Sequence, residues 1–171
     1  MILTAASISQ EVKKGSIVID PFDENRLNPN SYNYRLGTSI KTSKLGSEFC
    51  DAREITWIES DIPDSGYLLL PDTYYLCSTF DCIGSTVYSM KLIGRSSIGR
   101  LGLFLQLSAP LGHVGSKHCW TLELRSIKKL WIYPMMDIGQ VSFWKCRGEL
   151  SYYSGSYAAF DHPTPMIPRS K

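Results

Sequence analysis

The run Val87-Tyr88-Ser89-Met90-Lys91-Leu92-Ile93, then Gly94-Arg95-Ser96-Ser97-Ile98-Gly99-Arg100, then Leu103-Phe104-Leu105-Gln106-Leu107 decides the fold class. Two clusters of β-branched, aromatic and aliphatic residues flank a Gly- and Ser-rich turn, with no helical stretch between them. The same texture continues on both sides. Ile17-Val18-Ile19, Tyr67-Leu68-Leu69-Leu70 and Tyr74-Tyr75-Leu76-Cys77 precede it, and Trp120 to Arg125, Leu130 to Tyr133 and Gln140 to Lys145 follow, punctuated by Gly, Pro, Asn and Asp. Turn signals at such short intervals predict a mainly β fold, an antiparallel sandwich or barrel. The exception is Thr4 to Lys14, where Ile8 and Val12 stand four apart and Lys13-Lys14 precede Gly15, which predicts one short N-terminal helix.

A chain of 171 residues with 43% hydrophobic and 20% charged residues is one globular domain and falls outside the disordered and coiled-coil classes. We place a β domain at residues 1–150 and a tail at 151–171, rich in Ser, Tyr, Pro and Gly, that either frays or orders over something as a lid. A net charge of +2 gives no strong basic field, so neither nucleic acid nor an anionic membrane is expected as partner. Any anionic ligand must be held locally. No apolar run approaches the roughly 20 residues of a membrane span, and the N-terminus lacks the basic-then-apolar order of a signal peptide, so the cytoplasm is the expected compartment. Five cysteines without a C-x-x-C pair argue against a disulfide framework and a structural zinc site; they read as reduced, mostly buried thiols.

Gly94 to Arg100 offers two guanidiniums, two hydroxyls and glycine backbone within seven residues, an anion-binding composition that is also compatible with a solvated loop. In Thr121-Leu122-Glu123-Leu124-Arg125, alternation sends the two leucines to one face and Thr121, Glu123 and Arg125 to the other. In a half-closed pocket Glu123 is a proton shuttle, desolvation raising its pKa and a nearby arginine lowering it again; on an open face it is a strand carboxylate paired with Lys or Arg.

Read in order, Pro29-Asn30-Ser31-Tyr32-Asn33-Tyr34-Arg35-Leu36-Gly37, Cys77-Ser78-Thr79, Gly94-Arg95-Ser96-Ser97-Ile98-Gly99-Arg100-Leu101-Gly102-Leu103 and Thr121-Leu122-Glu123-Leu124 give a sequence that resembles the dCTP deaminase branch of the dUTPase superfamily. The spacing of 23 positions from Arg100 to Glu123 matches that family as well. The resemblance implies a distorted β-barrel or jelly-roll of the dUTPase-like type, a homotrimer with sites between subunits, and zinc-independent hydrolytic deamination of a cytosine nucleotide. Glu123 would then pass a proton from the attacking water to the ring and the leaving ammonia. Ser96 and the carbonyl of Ala109 would hold that water, and Arg100 would fix the constellation beside the base. Arg95 and Ser97 would contact phosphate, while Gly99, His113, Thr121, Gln140 and Tyr157 complete the expected substrate-binding set. No cofactor is expected to bind tightly; Mg²⁺ would arrive with the substrate phosphates. The H-x-E and P-C-x-x-C patterns of the zinc deaminases do not occur.

Three departures from the family pattern qualify the substrate. Ser108-Ala109-Pro110-Leu111-Gly112-His113 puts His113 where the family has an Asp that contacts deoxyribose and, in the hydrolase branch, activates water against the phosphate chain. The tail stretch Gly155-Ser156-Tyr157-Ala158-Ala159-Phe160 has neither the Lys nor the Gln of the family's lid, and His118-Cys119-Trp120 adds bulk before Thr121. Lost charge where charge should meet phosphate points to a substrate with fewer phosphates, or a modified base or sugar. His113 is either a surface residue or a donor to a sugar hydroxyl or phosphate. Two alternatives stay open, a dUTPase-like pyrophosphatase and a silent nucleotide binder.

Overall fold

Thr4 starts the helix that the sequence predicts: its Oγ1 accepts the Ser7 N–H at 3.4 Å, and the chain leaves through Gly15 at φ +78°. This is α1, Ala5–Lys13, anchored by buried Ile8. The computed structural model describes residues 1–43, 56–105, 108–155, 157 and 161–167. Within them the strands are β1 (Ile17–Asp20), β2 (Leu27–Asn28), β3 (Ser31–Ser43), β4 (Trp57–Asp61), β5 (Tyr67–Leu69) and β6 (Tyr74–Ser85). After these come β7 (Tyr88–Gly94), β8 (Leu103–Leu105), β9 (Leu111–Gly112), β10 (Lys117–Ser126), β11 (Leu130–Ile132) and β12 (Asp137–Lys145). A second short helix, α2 (Ser96–Arg100), lies between β7 and β8.

One sheet runs β8-β10-β6-β3-β12-β7-β9, with β1 on β6 and with β2 and β4 on β3, while β5 and β11 pair separately. Every pairing is antiparallel. The long strand β3 serves both halves: Tyr32 to Arg35 pair with β12, and Leu36 to Thr42 with β6, the register slipping between Leu36 and Ile40. Residues from β3, β6, β7, β10 and β12 therefore share a single buried cluster, and the sheet curls around it as the mainly β barrel-like fold expected. Gly139 marks a close approach inside that curl. A Cβ there would run into the ring of buried Tyr34, whose hydroxyl donates to the Ile93 carbonyl at 3.0 Å.

Arg35 fastens β3 to β6 beside the register slip. Its N–H donates to Asp81 Oδ2 at 2.7 Å and its Nη2 to Oδ1 at 2.5 Å, while the guanidinium lies 4.7 Å from the centre of the Phe80 ring. The Asp81 side chain is fully buried, so its charge is tolerated only because this fork meets it.

Strands β3 and β4 lie outside the stretches the sequence predicts, and the Gly94 to Arg100 turn contains α2, closed by the Gly99 N–H on the Arg95 carbonyl at 2.9 Å. Of the expected strand Leu103 to Leu107, Gln106 and Leu107 lie outside the described residues, as do Cys50, Ser156 and Ala158-Ala159-Phe160. Among the described cysteines only Cys77 is buried, whereas Cys82, Cys119 and Cys146 are half-buried, which corrects the reading of mostly buried thiols. Cys82 and Cys119 sit beside the register slip of β6 and β10, and Cys146 lies just past the end of β12, which leaves these residues partly uncovered. No described helix is long and apolar enough to cross a membrane.

Candidate active site

Alternation along β10 buries Leu122 and Leu124 and turns Thr121 and Glu123 to the opposite face, where Glu123 is half-buried. The Ser108 N–H donates to Glu123 Oε2 at 3.0 Å, and the Ser108 hydroxyl lies 2.8 Å from Oε1 and 2.6 Å from Oε2. Tyr74, at the start of β6, feels the same charge. Burial first, then the Glu123 carboxylate, push its hydroxyl up to about 12. Among the described residues no Lys or Arg forms an ion pair with Glu123. Of the two readings of this strand carboxylate, the geometry matches the half-closed pocket.

That pocket is a cavity of about 520 Å³ whose lining includes Glu123, Thr121, Ala109, His113 and Tyr157, five of the residues singled out from sequence. Trp57, Tyr74, Trp120 and Tyr153 give it aromatic walls. Aromatic walls with a single convergent carboxylate suit a flat, polar-edged ring. The bulk of His118-Cys119-Trp120 forms part of this wall: the His118 and Trp120 rings lie 4.2 Å apart, and Trp120 Nε1 donates to the Ile83 carbonyl at 2.9 Å.

Described tail residues, Tyr153, Tyr157, Thr164 and Met166, join the lining. The Tyr153 N–H donates to the Val114 carbonyl at 3.0 Å, and the Tyr153 ring stacks on His113 at 5.1 Å and 17°. Further on, the Thr164 N–H donates to Thr121 Oγ1 at 3.0 Å and the Ile167 N–H to the Tyr157 hydroxyl at 3.0 Å. His113 thus stands exposed at the rim against an aromatic ring.

The remaining candidates lie elsewhere in the chain. Ser96, Ser97, Gly99 and Arg100 occupy the exposed face of α2, which buried Ile98 anchors. Arg95 is engaged with Asp137 at 3.0 Å, a carboxylate that also pairs with Arg26. Gln140, between β3 and β7, accepts the Ser31 hydroxyl at 2.8 Å. Sequence reasoning missed Ser108, Tyr74 and Trp57. Ser108 adjoins Ala109 in a stretch already singled out, but only the strand pairing brings Tyr74 to Glu123. Metal-ligating groups meet in threes only at Cys82, Cys119 and Asp161, among the described residues.

Comparison with known proteins bears on this geometry. A chain from Leptospira biflexa named "dCTP deaminase, dUMP-forming" is 40% identical over 170 residues, covering 98% of this chain and 95% of that one. One from Rhodopirellula baltica named "dCTP deaminase" is 39% identical over 150 residues, 87% of this chain and 74% of that one. The crystal structure of 2'-deoxycytidine 5'-triphosphate deaminase from Agrobacterium tumefaciens superposes with a TM-score of 0.66 at 17% identity; it shares the fold over 83% of this chain, which spans 47% of that one. The family model described as dCTP deaminase-like matches residues 2–146, a range that takes in every helix and strand from α1 to β12, with α2, Ser108 and Glu123. With its own fold and carboxylate pocket in place, this chain belongs to the dCTP deaminase-like family.

Proposed function

We propose that the chain hydrolytically deaminates a cytosine deoxynucleotide, releasing ammonia, with Glu123 as the group that moves the proton. The observation that carries this reading is the Glu123 carboxylate in an aromatic cavity, bound by Ser108 donors and free of a cationic partner among the described residues. Attack at C4 needs a water made nucleophilic, and the ring nitrogen and departing amine each need a proton. One carboxylate that accepts from water and then donates can serve both steps.

Ser96, Arg100, Arg95 and Ser97 are assigned to the same site, supplied by α2 of a neighbouring subunit in a homotrimer. The exposed face of α2 that carries Ser96, Ser97 and Arg100 supports this, as do exposed Leu101, Phe104 and Ile127 beside it, apolar side chains of the kind that subunit contacts cover. Mg²⁺ would accompany the substrate phosphates, and the tail would act as a lid. A freely diffusing nucleotide fits the expected cytoplasmic compartment.

The relatives' names favour dCTP as substrate and, for several of them, dUMP as product. A second reading, with fewer phosphates or a modified base, rests on the tail, whose residues 151–167 contain neither Lys nor Arg. His113 in place of a carboxylate speaks against diphosphate release. Ammonia and diphosphate measured side by side on dCTP, dCMP and deoxycytidine separate these readings. Release of ammonia that Glu123→Gln abolishes is the expected result, and an active Glu123→Gln enzyme would refute the role. A clear preference for dCTP ends the second reading.

A further inference from the structure

Cys82 on β6 and Cys119 on β10 stand directly opposite each other in the antiparallel ladder, 37 positions apart in sequence. Opposed residues of such a ladder have Cα atoms about 4.5–5.5 Å apart, inside the window of about 4.4–6.8 Å that a disulfide spans. The backbone need not move for these two to bond. Their Sγ atoms are already 2.6 Å apart, well inside the ordinary contact of two sulfurs. Cys82 is half-buried, so a small oxidant can reach it, whereas Cys77 is fully buried and burial pushes its thiol up.

The pair also adjoins the site. Thr121 and Glu123 follow Cys119 on the same strand, and the β6–β10 register slips between Cys119 and Thr121. The tail is attached on both sides of that slip: Asp161 Oδ1 accepts the Cys119 N–H at 3.4 Å, and Thr121 Oγ1 accepts the Thr164 N–H.

We infer that Cys82 and Cys119 form a redox modification site, a dithiol that a low-molecular-weight disulfide converts reversibly into a cross-strand disulfide beside the Glu123 cavity. The Cys82 thiolate attacks one sulfur of the small disulfide and expels the first small thiolate, leaving a mixed disulfide. Cys119 then attacks Cys82 Sγ and expels the second. In total the two protein thiols give up two electrons and two protons, and the small disulfide takes them to become two thiols. Cys119 resolves rather than initiates, since its Sγ also donates to the Phe80 carbonyl at 3.9 Å and its thiol is raised by burial first and then by Cys82. The Asp161 carboxylate lies within 4.8 Å of both sulfurs, which would also suit a metal ion. A tetrahedral zinc with Zn–S bonds of about 2.3 Å holds its sulfurs about 3.7 Å apart, however, and the pair is already much closer than that.

The test is incubation of the whole reduced protein with oxidised glutathione, followed by alkylation of remaining thiols and peptide mapping. The expected product is a Cys82–Cys119 linked peptide that dithiothreitol reverses, with a melting midpoint raised by roughly 5–10 °C. Cys119→Ser should stop at a stable glutathione adduct on Cys82, and neither single variant should give the linked peptide. Should either variant fail to fold, the linked peptide in the unmodified sequence decides alone. Adducts scattered over Cys50 and Cys146 with no linked peptide would overturn the assignment. So would one equivalent of zinc in the purified protein that shields both thiols from alkylation and is lost in Cys119→Ser.

Discussion

Ser108 meets the Glu123 carboxylate with two groups at once, its N–H at 3.0 Å and its hydroxyl at 2.6 and 2.8 Å. The two residues are 15 positions apart, and the contact spans from the loop before β9 to β10. A carboxylate held this way keeps one orientation toward the cavity, and the hydroxyl hydrogen can follow it through a change of protonation. Ser108→Ala retains the backbone donor and loses the hydroxyl. Because Ser108 is exposed, the fold should survive. We expect kcat for ammonia release to fall about 10- to 100-fold, the worth of a hydrogen bond to a charged group, with KM nearly unchanged. A change confined to KM would show that the hydroxyl serves substrate binding instead.

The separation of α2 from the cavity gives a second test. If Glu123 of one subunit works with Arg100 of the next, Glu123→Gln and Arg100→Ala are each inactive alone, yet mixed trimers contain sites with both native residues. Random assortment of equal amounts restores about a quarter of the sites. Denaturing and refolding the two variants together, then measuring ammonia release, reads this directly. No recovery in a verified mixed trimer would mean that Arg100 and Glu123 do not meet across a subunit boundary.

Asp81 carries a stability prediction. Its buried carboxylate meets Arg35 at the slip between β3 and β6, and Asp81→Ala would leave a guanidinium only 14% exposed without its partner. Loss of about 3–5 kcal/mol is expected, the range for breaking one side of a buried pair, measured by urea denaturation. Arg35→Met with Asp81→Leu should recover much of it, since an apolar pair of similar volume needs no desolvation.

How much of this was legible in the sequence follows from what each signal depends on. The Leu122–Leu124 alternation is local, so β10 and the facing of Glu123 could be read off directly. Strand β3 also alternates, burying Tyr32, Tyr34 and Leu36, but Asn33 between them and Gly37, Thr38 and Ser39 after them carry turn chemistry, and only pairing with β12 and β6 outweighs it. Helix α2 spans five residues with two serines and a glycine, too short for periodicity to register, and buried Ile98 holds it. Tyr74, Trp57 and Cys82 come to their partners through sheet register, which no spacing along the chain encodes. Ser108 could have been found, since it precedes Ala109 in a stretch already under suspicion.

His113 tests the product. It stands at the rim, stacked on Tyr153, where the family resemblance expects a carboxylate. His113→Asp returns that charge and removes the stack. The ratio of diphosphate to ammonia released from dCTP should rise several-fold if a carboxylate there activates water toward the phosphate chain. An unchanged ratio would assign the product to residues elsewhere, and a rise in KM alone would mark the stack with Tyr153 as a substrate contact.

Tyr74 gives the pH dependence. In the unfolded chain a tyrosine ionises near pH 10, whereas burial and the Glu123 charge hold the Tyr74 proton in the folded chain up to about 12. Between those values the unfolded chain has released a proton that the folded chain still binds. The contribution of this group is therefore complete below pH 10 and disappears as the pH rises toward 12. Tyr74→Phe has no proton to hold, so its melting midpoint should fall less steeply between pH 9.5 and 11.5 than that of the unmodified sequence. Other tyrosines are raised as well, Tyr34 and Tyr67 among them, and both proteins share them, so the difference in slope isolates Tyr74. Identical slopes would mean that neither burial nor the Glu123 charge holds the Tyr74 proton in the folded chain.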